Sequence, residues 1–137
     1  MSASPALREL QHDLEAQATS LSKIQKDIAK NHQVRKQYTI QLGENELVFK
    51  ELDLLNEAAN VYKLIGPVLV KQDLAEARAN VRKRIEYISA ELKRLDGTLQ
   101  SLEGKQSSKN EAVSDVLSAT FSVFVTEDYC NYLVSVI

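Results

Sequence analysis

From Leu7 onward the apolar residues of this chain recur at alternating spacings of three and four, and a second such series follows the first. Written as a heptad, the first series has Leu7, Leu14, Leu21, Ile28, Arg35, Leu42 and Phe49 at a. It has Leu10, Gln17, Ile24, Asn31, Tyr38, Asn45 and Leu52 at d. Ten of these fourteen positions are apolar, which keeps one helical stripe turned toward a partner helix for many turns, the pattern of a coiled coil. The second series runs Leu74, Arg78, Val81, Ile85, Ile88, Leu92, Leu95, Leu99, Leu102, with eight of nine apolar. The glycines agree with both. Gly costs about 1 kcal/mol against Ala inside a helix, and Gly43, Gly97 and Gly104 all fall at outward positions rather than in the seams. Asn at a seam position fixes register at a cost in stability, a role open to Asn31 and Asn45. Ser4 is placed to cap the first helix, with Pro5 as its first residue.

Between the series the period changes. "NEAAN", residues 56–60, reads as a linker, and "VYKLIGPVLVK" reads as a β-hairpin. Its strands are expected at Val61–Ile65 and Val68–Lys71, joined by Gly66-Pro67 in a type II′ turn. Gly accepts the positive φ of the first central position, and the φ fixed by Pro suits the second. Asp73 then caps the second helix, with Glu76 three residues on. Helices joined by so tight a hairpin run antiparallel. Setting Leu52 against Leu74 brings Leu42 near Ile85, Ile28 near Leu99, and Leu14 near Ala112 and Val113. It also places Arg35 near Glu91, where an ion pair is as reasonable as a solvent-directed side chain. At about 1.5 Å per residue the first helix is roughly 70 Å long, a tentacle rather than a globule.

The hairpin is apolar on both faces: Val61 and Ile65 point one way, Tyr62 and Leu64 the other, and Val68 and Val70 oppose Leu69. A half-buried strand alternates apolar with polar, an isolated two-stranded ribbon is marginal in water, and open strand edges invite pairing. The expected assembly surface is therefore Val61, Tyr62, Leu64, Ile65, Val68, Leu69 and Val70, with Gly66 and Pro67 making the turn. Lys63 and Lys71 either meet a partner's acids or stay solvated and discourage mispairing.

Composition removes several functions. The 137 residues carry a net charge of −2 with 26% charged residues, so neither nucleic acid nor a membrane surface is an expected partner. The single cysteine, Cys130, suits a reducing compartment. No secretory pattern stands in "MSASPALREL", and no run of about 20 apolar residues is present to span a membrane. His12 and His32 fall at outward heptad positions without a Cys partner, so no metal is expected. No nucleophile motif or phosphate loop is seen, and neither enzymatic activity nor a cofactor is expected.

The combination of coiled coil, "NVYKLIGPVLVKQDLAEARANVRKRIEYISAEL" and coiled coil resembles a β-type subunit of the prefoldin family over roughly residues 5–112, with "ENELVFKELDLL" in support. That resemblance implies a mainly α fold, a long antiparallel two-helix coiled coil joined by a single β-hairpin. It implies a cytoplasmic heterohexamer of two α-type and four β-type subunits, whose hairpins form a central double barrel. It also implies ATP-independent holding of unfolded clients such as actin and tubulin by the coiled-coil tips, with transfer to the cytosolic group II chaperonin. Residues 1–55 would form the first helix, 56–72 the linker and hairpin, 73–117 the second helix and 118–137 an atypical apolar tail. By chain order the client-binding tip would hold Leu7, Leu10 and Leu14, with Leu99, Leu102 and Val113 opposite. A structural tether or dimerisation module is the alternative; it explains the heptads but not the hairpin.

The tail departs from the family, whose second helix ends in a polar, Gln-rich stretch. "SDVLSATFSVFVTEDYCNYLVSVI" is apolar and free of Lys and Arg. Val113, Val116 and Val123 fit a continued heptad spacing, which carries the helix on to about Leu117; beyond that, "FSVFV" alternates like a strand. An alternative C-terminal sequence and a client-binding apron are both compatible with it.

Overall fold

The computed structural model describes residues 4–136. Their order is α1 (Pro5–Leu54), β1 (Val61–Ile65), β2 (Val68–Gln72) and α2 (Leu74–Val136), a mainly α chain with one antiparallel hairpin. Two compact units are distinguished: Asn31–Thr98, and the residues up to Lys30 together with those from Leu99 onward.

The heptads predict burial closely. All fourteen a and d residues of α1 are buried or half-buried, as are all nine residues of the second series. Gly43, Gly97 and Gly104 sit where an added Cβ would meet no atom within 4 Å, as outward positions require. Within Asn31–Thr98 the most enclosed side chains are Ile88, 1% exposed, and Leu95, 2% exposed, one heptad apart. A second cluster, Leu52, Leu74 and Ala77 with Val61 and Val81 against it, locks the end of α1, the base of the hairpin and the start of α2 together.

Local chemistry sets the element ends. Ser4 Oγ accepts from the Leu7 N–H at 3.3 Å, and the Ser4 carbonyl from the Arg8 N–H at 3.0 Å. Asp73 Oδ2 accepts from the Glu76 N–H at 3.2 Å and caps α2. Between α1 and β1, Asn56 Oδ1 accepts from the Ala58 N–H at 3.1 Å, a local turn that competes with continued helix.

Arg78, the one charged residue of the second series, turns its side chain back to the end of α1. Its Nε and one terminal nitrogen donate to the Leu52 carbonyl at 3.1 and 2.9 Å, and the terminal nitrogen also reaches the Leu55 carbonyl at 3.1 Å. The last carbonyls of a helix lack intrahelical donors and carry its negative dipole end. The last turn of α1 holds no basic residue, so α2 supplies the cation. Arg78→Ala is expected to destabilise the chain by about 1.5–3 kcal/mol. Arg78→Lys, which keeps the charge but not the planar fork, should fall between the two. Urea unfolding followed by circular dichroism reads both.

Two polar seam residues of α1, Arg35 and Gln17, find cross-helix partners. Arg35 pairs with Asp96 at 2.6 Å, not with Glu91 as its heptad position suggested; Glu91 is instead held by Arg94 at 2.9 Å, one turn along its own helix. Gln17 Oε1 accepts from Lys109 Nζ at 2.9 Å, on the offset that Leu52 against Leu74 sets. Asn45 does not reach across; its amide donates to the Gln41 carbonyl of its own helix at 2.7 Å.

A second correction concerns the tail. α2 neither stops near Leu117 nor gives way to a strand at "FSVFV"; it runs to Val136. The reason lies in the spacing. Val113, Val116, Thr120, Val123 and Glu127 continue the alternation of three and four, and all five are half-buried. Extending an existing helix adds one hydrogen bond per residue without a new nucleus, which outweighs the modest helix propensity of β-branched residues.

Candidate functional site

The hairpin is the most exposed apolar element of the Asn31–Thr98 unit. β1 and β2 pair antiparallel, with Val61 opposite Gln72, Tyr62 opposite Lys71, Lys63 opposite Val70, Leu64 opposite Leu69 and Ile65 opposite Val68. Directly opposed residues share a face. One face therefore carries Val61, Lys63, Ile65, Val68, Val70 and Gln72, and the other Tyr62, Leu64, Leu69 and Lys71. Gly66 has φ +58°, the left-handed value that the first position of the turn requires. Only the base is anchored: Val61 packs on the Leu52 cluster, while Leu64 is 68% exposed and Leu69 65% exposed. Tyr62, Ile65, Val68 and Val70 are exposed as well. The hairpin has no other strand paired to it among the described residues.

Beside the base lies a groove of about 390 Å³ lined by Val48, Leu52, Val61, Tyr62 and Val81, with Asn80 and Arg84 at its polar side. Val48 is itself exposed, and Ile40, Leu47 and Leu54 form a further exposed apolar row on α1 at seven-residue spacing. The heptad reading gave these residues no role, because only a and d positions were assigned to packing. Nearby, Arg82 lies over the Phe49 ring at 5.3 Å, and a hydrogen bond with Tyr38 raises the pKa of Tyr87.

The six residues expected at the tip all fall in the other unit. Leu7, Leu10, Leu14, Leu102 and Val113 are half-buried. Leu99, 5% exposed, is enclosed in the seam and is the least accessible of the six. Much greater apolar exposure lies where a strand had been expected. Phe121 is 70% exposed, and Leu117, Phe124, Val125, Tyr129 and Tyr132 are also exposed. The absence of Lys and Arg from this stretch was the available signal; reading it with a period of two hid the helical face. Ser4, at the start of α1, lines a shallow groove with Thr126, Glu127, Cys130 and Asn131. α2 thus continues past the first residue of α1, and every residue from Asp128 to Val136 is exposed.

Among the described residues no group of three or more His, Cys, Asp or Glu is placed to hold a metal ion. No helix among them is long and apolar enough to cross a membrane.

Comparison with known proteins places the fold and the hairpin in one context. The family model described as "Prefoldin subunit" matches residues 15–119. The chain is 76% identical over 110 residues to Prefoldin subunit 6 of Arabidopsis thaliana, covering 80% of this chain and 85% of that protein. It is 41% identical over 107 residues to Prefoldin subunit 6 of Homo sapiens, covering 78% and 83%. Among solved structures, the prefoldin beta subunit from Thermococcus strain KS-1 superposes with a TM-score of 0.70 at 23% identity, covering 76% of this chain and 91% of that one. At that identity the structural likeness speaks for the fold.

Proposed function

This chain belongs to the prefoldin subunit family, and from that membership we propose that it works as a β-type subunit, in the place that prefoldin subunit 6 fills for its relatives. It is a co-chaperone subunit rather than an enzyme. In the proposed cycle it joins α-type and other β-type subunits in a cytoplasmic heterohexamer through Val61, Tyr62, Leu64, Ile65, Val68, Leu69 and Val70, with Gly66 and Pro67 holding the turn. The complex holds unfolded proteins such as actin and tubulin without ATP and delivers them to the cytosolic chaperonin.

The observation that carries this reading is the hairpin's exposure on both faces and both edges. Full burial of each large aliphatic side chain is worth about 1.5–3 kcal/mol, and open strand edges are satisfied by further strands. A tether or dimerisation module leaves that surface without a use. Client holding follows from the same logic at lower cost: Leu7, Leu10 and Leu14 become available as the start of α1 frays, Leu102 and Val113 are the proposed surface on α2, and several weak tips acting together give avidity. The test is light scattering from chemically unfolded actin diluted into the assembled complex without nucleotide. Suppressed aggregation supports the reading; unchanged aggregation at molar excess of complex overturns it.

A further inference from the structure

The terminal stretch of α2 is apolar on two faces. One is the seam, Val113, Val116, Thr120, Val123 and Glu127, half-buried. The other is turned to solvent. At 3.6 residues per turn, Leu117, Phe121, Phe124, Val125, Tyr129 and Tyr132 share one exposed stripe, which begins beside the seam at Phe124 and Leu117 and reaches the opposite side of the helix at Tyr129. From Leu117 to Val136 nine large apolar side chains are exposed, more than scattered surface hydrophobics account for. The family match ends at residue 119, so nearly all of this stripe lies beyond it.

Charge narrows what covers the stripe. Residues 110–136 hold four carboxylates, Glu111, Asp115, Glu127 and Asp128, and no Lys or Arg. Residues 4–20 at the start of α1, in the same unit, hold Arg8 against Glu9, Asp13 and Glu15. This end of the chain is therefore strongly acidic, although the whole protein has a net charge of only −2. Asp128 falls within the stripe, between Phe124 and Tyr132, and Glu111 and Asp115 lie along one flank. The last basic residue of α2, Lys109, is engaged by Gln17. A second copy of the stripe would bring acid against acid, and an anionic lipid surface would be repelled.

We propose that the exposed stripe on residues 117–136 is a client-binding face selective for apolar segments flanked by Lys and Arg. This rests on the client-holding reading above and adds a substrate class to it. Aromatic side chains supply contact area at small cost in conformational entropy. The acids steer and select cationic segments and set the rate of encounter more than the final affinity.

The test uses the assembled complex with a fluorophore on the exposed thiol of Cys130. Two peptides share the same Phe and Leu residues; one carries Lys and Arg between them, the other Asp and Glu. The basic peptide should bind about tenfold more tightly at low salt, from several contacts each worth a fraction of that ratio. The preference should collapse at about 0.5 M salt, where screening shortens to a few ångströms. Joint Phe121→Ser and Tyr132→Ser should weaken both peptides about tenfold. Joint Glu111→Lys, Asp115→Lys and Asp128→Lys should invert the preference. All five positions are exposed, and unchanged circular dichroism verifies folding.

Equal binding of the two peptides overturns the proposal, as does indifference to the substitutions. So would finding the stripe buried between two complexes by sedimentation, or on uncharged phosphatidylcholine vesicles by co-flotation. The broader reading is separable. If the complex suppresses actin aggregation while the Phe121/Tyr132 variant does so equally well with both peptides bound as before, the stripe alone is excluded. If the unaltered complex suppresses nothing, client holding itself fails.

Discussion

Replacing Leu64 and Val70 together by Asp is expected to remove the chain from its multi-subunit complex while leaving its helices intact. The two side chains lie on opposite faces of the ribbon, so each face receives a charge. A carboxylate buried at a subunit interface without a partner costs several kcal/mol, against a loss of about 1.5–3 kcal/mol of burial for each aliphatic side chain removed. Assembly cannot absorb both. The ribbon itself survives, because Asp at position 70 stands opposite Lys63 and opposite charges across a strand pair are favourable. Val61, the hairpin residue that packs on Leu52, Leu74 and Ala77, is untouched. Co-expression with partner subunits followed by size-exclusion chromatography should show the variant running apart from the complex. Incorporation at the normal level would mean that the assembly surface lies elsewhere.

Ile88→Ala is expected to cost about 2–5 kcal/mol, and Leu95→Ala a similar amount. These are the two most enclosed large side chains among the described residues. Domains of ordinary stability have about 5–15 kcal/mol in total. With only six apolar residues buried among the described residues, few other contacts compensate, so one truncation is expected to unfold much of the isolated subunit at physiological temperature. Lys93→Ala, an exposed substitution on the same helix, should stay within about 0.5 kcal/mol. Urea titrations of the three variants compare them directly. Equal midpoints for Ile88→Ala and Lys93→Ala would show that the seam contributes little.

The sequence made the helices legible because a heptad is a statement about direction. It says where each Cβ points, and every a and d residue of α1 is turned inward to some degree. The hairpin was legible for a similar reason: Gly66-Pro67 permits few turns, and Asp73 marks where the next helix begins. Heptads do not say where a long side chain ends. Arg78 has a seam position, yet its guanidinium reaches back to the carbonyls of Leu52 and Leu55. Arg35 likewise bypasses Glu91 for Asp96.

The tail was misread because two periods overlap in it. "FSVFV" alternates every second residue, but Val116, Val123 and their polar seam mates Thr120 and Glu127 carry the helical spacing. With polar residues at two of those four places, the apolar spacing of Val113, Val116 and Val123 marks the seam only in part, and the strand-like alternation outweighed it. The exposed stripe was hidden for the same reason, since Leu117, Phe121 and Tyr132 share a face only on a helix.

Everything about assembly depends on the ribbon being covered by other subunits. Hydrogen exchange at the amides of β1 and β2, in the isolated chain and in the assembled complex, measures this most directly. Amides of an uncovered two-stranded ribbon should exchange rapidly in the isolated chain and become protected by orders of magnitude in the complex, together with those lining the groove beside Val48 and Val81. Equal protection in both states, with the isolated chain a stable monomer by mass, would contradict it.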